Sequence, residues 1–229
     1  MRASVIAEVA GRKKIGDLME LGRYMVQAAI KPYNYPAKIY KSMEWYVLAR
    51  EGSRMLLLSK DCVDWEFIDG TGHPQTWENC FARKELLPAF FKDTFTEEEK
   101  SLIIPVWLET KDNVKFGTKG GEDTTDQIFF LSIEEFQKYV FPEAARSSLY
   151  MVDRLTEDSE EQKEEKYELW HEPADWWLRS PGEEQYCNAV VSSRGDLWEE
   201  GLENGADEVG IRPAIWIDLT AAQDDELPF

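Results

Sequence analysis

Four consecutive apolar residues, Met55-Leu56-Leu57-Leu58, follow the turn Glu51-Gly52-Ser53 after the single residue Arg54, and they constrain this chain more than any other feature. Glu44 to Arg50 before the turn and Arg54 to Ser59 after it read as the two strands of a hairpin joined by a short glycine-containing loop. A strand without polar alternation has no face to offer to water, so the second strand is central in its sheet and covered on both sides. The 229 residues are 43% hydrophobic and 13% aromatic, which supplies the apolar surface for those covers within one domain.

The remaining elements are read by the same means. Ile15 to Met25 places Gly16 and Gly22 inside short apolar stretches, which predicts two brief strands with a turn or bulge. Pro32 and Pro36 bracket a loop. Thr76-Trp77-Glu78-Asn79 opens a helix running towards Phe90, kinked or ended by Pro88. Thr96-Glu97-Glu98-Glu99 and Ser132-Ile133-Glu134-Glu135 are capping boxes, with a hydroxyl for the first free amides and a glutamate three residues on. They predict one helix through Leu102 and Ile103, and a second to about Val140 after a strand over Gln127–Leu131. Lys111 to Asp126 is a polar, glycine-rich surface loop, with no Gly-Lys-Ser/Thr to make it a phosphate cradle. Glu157 to Glu168 is a run of acids with Gln162, Lys163 and Lys166 interspersed and no apolar residue until Tyr167, a solvated insertion. Three tryptophans then fall between Leu169 and Gly182, followed by an alternating strand over Cys187–Ser193, a turn at Arg194-Gly195-Asp196 and a last strand over Gly210–Ile217. The expected architecture is α+β, with mixed or antiparallel sheets and short helices over residues 15–220. Residues 1–14 are a tail or short helix and 221–229 a C-terminal tail.

Charge and residue inventory exclude several functions. Forty-five acids against 26 Lys and Arg give a formal charge of -19, which repels phosphate backbones and anionic lipid heads, so neither nucleic acid nor membrane is an expected partner. No apolar stretch approaches the roughly 18 residues of a membrane helix, and Glu8 interrupts the N-terminal apolar stretch, so a cytoplasmic location follows by default. Cys62, Cys80 and Cys187 are odd in number and widely spaced, and read as buried free thiols. With only His73 and His171 beside them, no metal site or cofactor is expected. Neither histidine sits in a recognisable nucleophile setting, and a close carboxylate pair among so many acids carries little meaning; no catalytic residue is assigned.

Trp45, Trp77, Trp176, Trp177 and Trp216 are read as core, since a large aromatic buries much area once its indole amide finds a partner. A stacking platform for sugars or peptides is the alternative for Trp176, Trp177 and Trp216. Arg179 and Arg212 lie among apolar strand residues, where a guanidinium must be paired with carbonyls or with a carboxylate such as Asp175. That leaves Tyr186, Arg194, Asp196 and Trp198, on loops flanking strands, as the candidate binding residues.

The ordered blocks Leu21-Gly22-Arg23-Tyr24, Glu44-Trp45-x-Val47-Leu48, Leu56–Ser59, Thr76-Trp77-Glu78, Phe95–Lys100, Thr124-Thr125-Asp126-x-Ile128–Ser132, Trp177–Gly182 and Gly210–Ala214 resemble domain-of-unknown-function family 6273 from about residue 15 to 218. The resemblance implies a bacterial protein of a family often found beside surface or signalling modules, with no established enzyme activity. Where the family usually continues the Trp77 helix with Leu-Arg-x-Trp-Leu-Asn, this chain departs with Phe81-Ala82-Arg83-Lys84-Glu85-Leu86-Leu87-Pro88. The last third is also similar to C-type-lectin-like domains of the formylglycine-generating type, although neither that enzyme's cysteine pair nor the lectins' Glu-Pro-Asn motif has a counterpart. The expected function is a non-catalytic binding module for a protein, peptide or glycan. The alternatives are a hydrolase-type enzyme using acidic residues and a structural assembly domain.

Overall fold

The computed structural model describes residues 3–30, 35–141, 143–156 and 166–220. In chain order, α1 (Ala3–Gly11) precedes a long antiparallel pair, β1 (Leu18–Ile30) and β2 (Tyr35–Glu51), and β2 turns at Gly52 into β3 (Arg54–Ser59). β4 (Asp64–Trp65) leads to a π-helical turn at Ala82–Leu86, then α2 (Leu87–Thr94) and α3 (Glu97–Lys100). β5 (Val106–Leu108) and β6 (Thr124–Asp126) bracket the glycine-rich loop, and β7 (Ile128–Phe129) is followed by α4 (Ile133–Tyr139) and α5 (Glu143–Arg146). A ribbon of β8 (Leu149–Thr156) and β9 (Lys166–Pro173) precedes β10 (Trp176–Pro181), β11 (Cys187–Val191), β12 (Leu197–Glu203), β13 (Gly210–Ile211) and β14 (Ala214–Asp218).

Two five-stranded sheets carry the core, in the orders β1-β2-β3-β14-β7 and β12-β11-β10-β13-β4. Every pairing is antiparallel except β10 with β13, so the fold is α+β. β3 is the middle strand of its sheet and is buried from Met55 to Ser59, the position its apolar run required. Trp45, Trp77, Trp176 and Trp177 are fully buried, and each indole N–H donates: to the Leu21 carbonyl, an Asp126 carboxylate oxygen, the Arg146 carbonyl and the Glu66 carbonyl at 2.7 to 3.1 Å. These four indoles enter the core without stranding a donor.

The last strand expected over Gly210–Ile217 is two strands in different sheets. Pro213 has no amide to offer a ladder, and the chain crosses between the sheets at Arg212-Pro213. The Arg212 guanidinium fills the crossing, donating to the carbonyls of Ser59, Ala145 and Lys60 at 2.9 to 3.0 Å beneath the Trp176 ring.

Other differences have local causes. The two strands expected near Gly22 are one strand with a bulge, for the register shifts between Glu20 and Arg23 and Gly22 takes a φ of 75°. Pro36 lies inside β2, and residues 31–34 of the expected loop lie outside the described residues. Thr76 to Cys80 is a turn; helical conformation begins at Phe81, passes through the π-helical turn into α2 and ends at Thr94, and Pro88, which has no amide to donate, sits at the junction of the two. Both capping boxes form in full, but α3 stops at Lys100 because the Ile104 amide is taken by the Trp216 carbonyl. Within the expected acidic insertion, Lys166 to Glu168 pair with β8; residues 157–165 and the tail 221–229 lie outside the described residues.

Candidate functional site

Ser132 and Glu135 fix where α4 begins: the Ser132 hydroxyl accepts from the Glu135 amide at 3.1 Å, and the Glu135 carboxylate accepts from the Ser132 amide at 2.9 Å. That start turns Phe136 into the core against Trp176 and leaves Glu134 and Lys138, four residues apart, on one outer face. Glu135 also receives Arg179 from β10, a side chain 2% exposed whose Nη1 and Nη2 donate in addition to the carbonyls of Phe130 and Glu109. The expected partner Asp175 instead accepts from the Ser193 amide. Arg179 thereby ties α4 to the segment leaving β5.

Between those two elements lies a cleft of about 540 Å³. Its α4 wall presents Glu134, Lys138 and Tyr139, and its floor is Trp216 of β14, which meets Tyr139 edge-on at 6.5 Å. The Tyr139 hydroxyl donates to Glu51 at 3.3 Å and accepts from the Lys138 ammonium at 2.6 Å. The Tyr139 contact, followed by the field of Glu51 and Glu135, holds the Lys138 ammonium above its ordinary pKa, so it is fully charged at neutral pH. The opposite wall is Pro105 to Leu108, where Trp107 is 64% exposed. Glu134 also borders a smaller hollow of about 200 Å³ that reaches Val114 and Lys115 of the glycine-rich loop.

The four binding residues expected from the sequence do not converge. Arg194 and Asp196 are exposed in the β11–β12 turn, and Trp198, 44% exposed, stands opposite Val190 nearby. Tyr186 is at the far end of β11, its carbonyl bonded to the Asn204 amide; four residue steps along the strand, roughly 13 Å, separate it from Val190. Its hydroxyl is held above the usual tyrosine range, chiefly by Glu184. Of the residues read as core, Trp45, Trp77, Trp176, Trp177, Arg179 and Arg212 are buried, while Trp216 keeps 9% exposure at the cleft floor.

Trp107, Glu134, Lys138 and Tyr139 escaped the sequence reading. The Ser132 capping box was the available signal, since it placed Glu134 and Lys138 on one helix face. Nothing local distinguishes Trp107 from the core tryptophans.

The inventory for nucleophilic or metal chemistry is short. All three cysteines are free and buried; burial pushes the Cys62 thiol up to about 11 and the Cys80 thiol up to about 12. His73 is exposed in a turn, and the side chain of His171 lies outside the described part of the molecule. Among the described residues no group of three or more His, Cys, Asp or Glu is placed to hold a metal ion, and no helix is long and apolar enough to cross a membrane.

An antiparallel two-sheet α+β scaffold with an open aromatic cleft at the edge of its β5–β6 ribbon is the class these features define. The chain belongs to the family described as Domain of unknown function (DUF6273), whose sequence model matches residues 52–219. The match begins within the β2–β3 turn and takes in Trp107, α4 and Trp216. No curated protein and no solved structure matches the chain.

Proposed function

We propose that this chain is a non-catalytic binding module that takes its ligand in the cleft between β5 and α4. One observation carries the reading: Trp107 keeps 64% of its surface in water at the lip of a cleft, in a chain that buries Trp45, Trp77, Trp176 and Trp177 completely. Exposed aromatics beside charged groups in a concave site supply much of the energy of recognition. The reading keeps the class expected from the sequence and moves the site away from the β11–β12 turn. A bacterial setting beside surface or signalling modules, and a C-type-lectin-like ancestry for the last third, belong to the same proposal.

Binding to glycan and peptide arrays tests it. Trp107→Ala should lose at least tenfold in affinity, about 1.4 kcal/mol, for whatever wild type retains, while Trp198→Ala keeps it. Loss in Trp198→Ala alone would return the site to the hairpin turn.

A hydrolase has one observation in its favour. Asp64 and Asp93 border a separate groove of about 540 Å³ beside Leu86 and Phe90, and partial loss of its water raises the exposed Asp64 carboxyl, the direction that favours a general acid. Turnover of ester or glycoside substrates that disappears in Asp64→Asn would establish that reading in place of the first.

A further inference from the structure

Pro105, Val106, Trp107 and Leu108 all border the cleft. Successive side chains of a strand point to opposite faces, so four consecutive residues line one cavity only where that cavity runs along the strand's edge. β5 pairs with β6 on one side, Val106 with Asp126, Trp107 with Thr125 and Leu108 with Thr124. An antiparallel ladder spends the N–H and C=O of alternate residues on the partner and turns the others away. Leu108 is covered, so it is Val106 or Trp107, the two residues of β5 that water reaches, that presents a backbone donor and acceptor on the side away from β6. Among the described residues these groups have no partner beyond β6.

An unpaired strand edge in a cleft is complementary to another extended backbone, whereas a sugar matches neither the spacing nor the alternation of its donors and acceptors. Charge narrows the occupant further. The cleft is bordered by Glu51, Glu134 and Glu135 against Arg54 and Lys138. Glu135 is held by Arg179 and the Ser132 amide, Lys138 keeps its charge but lies over the Tyr139 ring with its ammonium on the hydroxyl, and Arg54 stands opposite Asp218 in the β3–β14 ladder. Glu134 is exposed and has no ion-pair partner among the described residues. An exposed indole on one wall and a carboxylate without an ion pair on the other favour a Lys or Arg side chain, the ring face and the anion acting on the same cation. The chain's charge of -19 attracts such a ligand over distance.

We infer that the cleft binds an extended, basic peptide segment, which adds to the free edge of β5 as a third strand of the β5–β6 ribbon and lays a cationic side chain between Trp107 and Glu134. The inference rests on the cleft being the binding site. It commits to a peptide, and the test keeps the two failures apart.

A phage-displayed random heptapeptide library panned on the full chain, with counter-selection on Trp107→Ala, supplies the probes; circular dichroism verifies that the variant is folded. The enriched peptides should be rich in Lys and Arg. They should bind several-fold more weakly to Glu134→Gln, and lose at least tenfold when N-methylated at alternate residues but not at the residues between, as strand pairing demands. Failure to enrich any peptide, enrichment of acidic or neutral ones, or indifference to N-methylation at every position overturns the peptide assignment. So does Trp107-dependent binding of arrayed oligosaccharides in place of peptides, although that result keeps the cleft as the site. Ligands of either kind held equally by wild type and Trp107→Ala overturn the cleft reading itself.

Discussion

Arg212 holds three carbonyls from two distant segments, Ser59-Lys60 and Ala145, in a site with no exposure. Burial pushes its guanidinium down to about 10, which leaves it cationic at neutral pH, and the carbonyl dipoles and the Trp176 face substitute for the lost water. A lysine ammonium at the end of a flexible stem cannot reach all three acceptors as a planar fork does. Arg212→Lys should therefore cost about 2–4 kcal/mol in urea unfolding at pH 7. A loss below about 0.5 kcal/mol, the size of an ordinary surface change, would contradict this account. The sequence already required this guanidinium to be paired, because its neighbours are apolar strand residues. Its acceptors lie roughly 70 and 150 positions away, and only the fold brings them close. The thiols make the complementary point: Cys62 and Cys80, buried and protonated, should react with a water-soluble disulfide reagent only as fast as the chain unfolds.

Elements set by short-range chemistry were legible, and those set by neighbours were not. The boxes at Thr96 and Ser132 are local, each closing a hydrogen-bonded loop within four residues, so the starts of α3 and α4 follow from the chain alone. The end of α3 depends on β14, whose Trp216 carbonyl captures the Ile104 amide. The bulge in β12 is another case: between Asn188 and Val190 the β11–β12 register shifts, and Gly201 takes a φ of 75° with the Asn188 carbonyl oxygen 1.9 Å from where a Cβ would sit. Gly201→Ala should lose at least about 2 kcal/mol, combining the backbone conformation with the clash. Ser132→Ala, which removes one cap, should lose about 1 kcal/mol. Thermal unfolding of the two variants side by side checks both the order and the gap.

At the scale of the molecule the excess of 45 acids over 26 basic residues makes self-repulsion the leading electrostatic effect, because the exposed ion pairs Lys115–Glu200 and Lys119–Asp112 are individually weak. Raising NaCl from 10 to 300 mM should accordingly raise the melting temperature at pH 7 by a few degrees; a fall would mean that the screened pairs outweigh the repulsion. Acid acts the other way. Asp112, through Lys119, Glu200, through Lys115, and Asp218, through Thr220, have carboxyls held below the usual range. A carboxyl lowered by folding contributes stability above its unfolded pKa and loses it as the pH falls through the folded value. Melting temperature should thus decline below about pH 4.

By itself the sequence determined the α+β class, the β2–β3 hairpin with its central strand, the two capped helix starts and the acidic surface, because each follows from side-chain periodicity, turn chemistry or charge within a few residues. Only the tertiary structure decided that Trp107 meets water. Trp107 and Trp177 are chemically alike and both sit on strands, but one is covered by a second layer and the other stands on a two-stranded ribbon with a free edge. Burial is a property of what packs on top, and the residues that make the cleft come from β2, β3, β5, α4 and β14, which only the completed fold brings together.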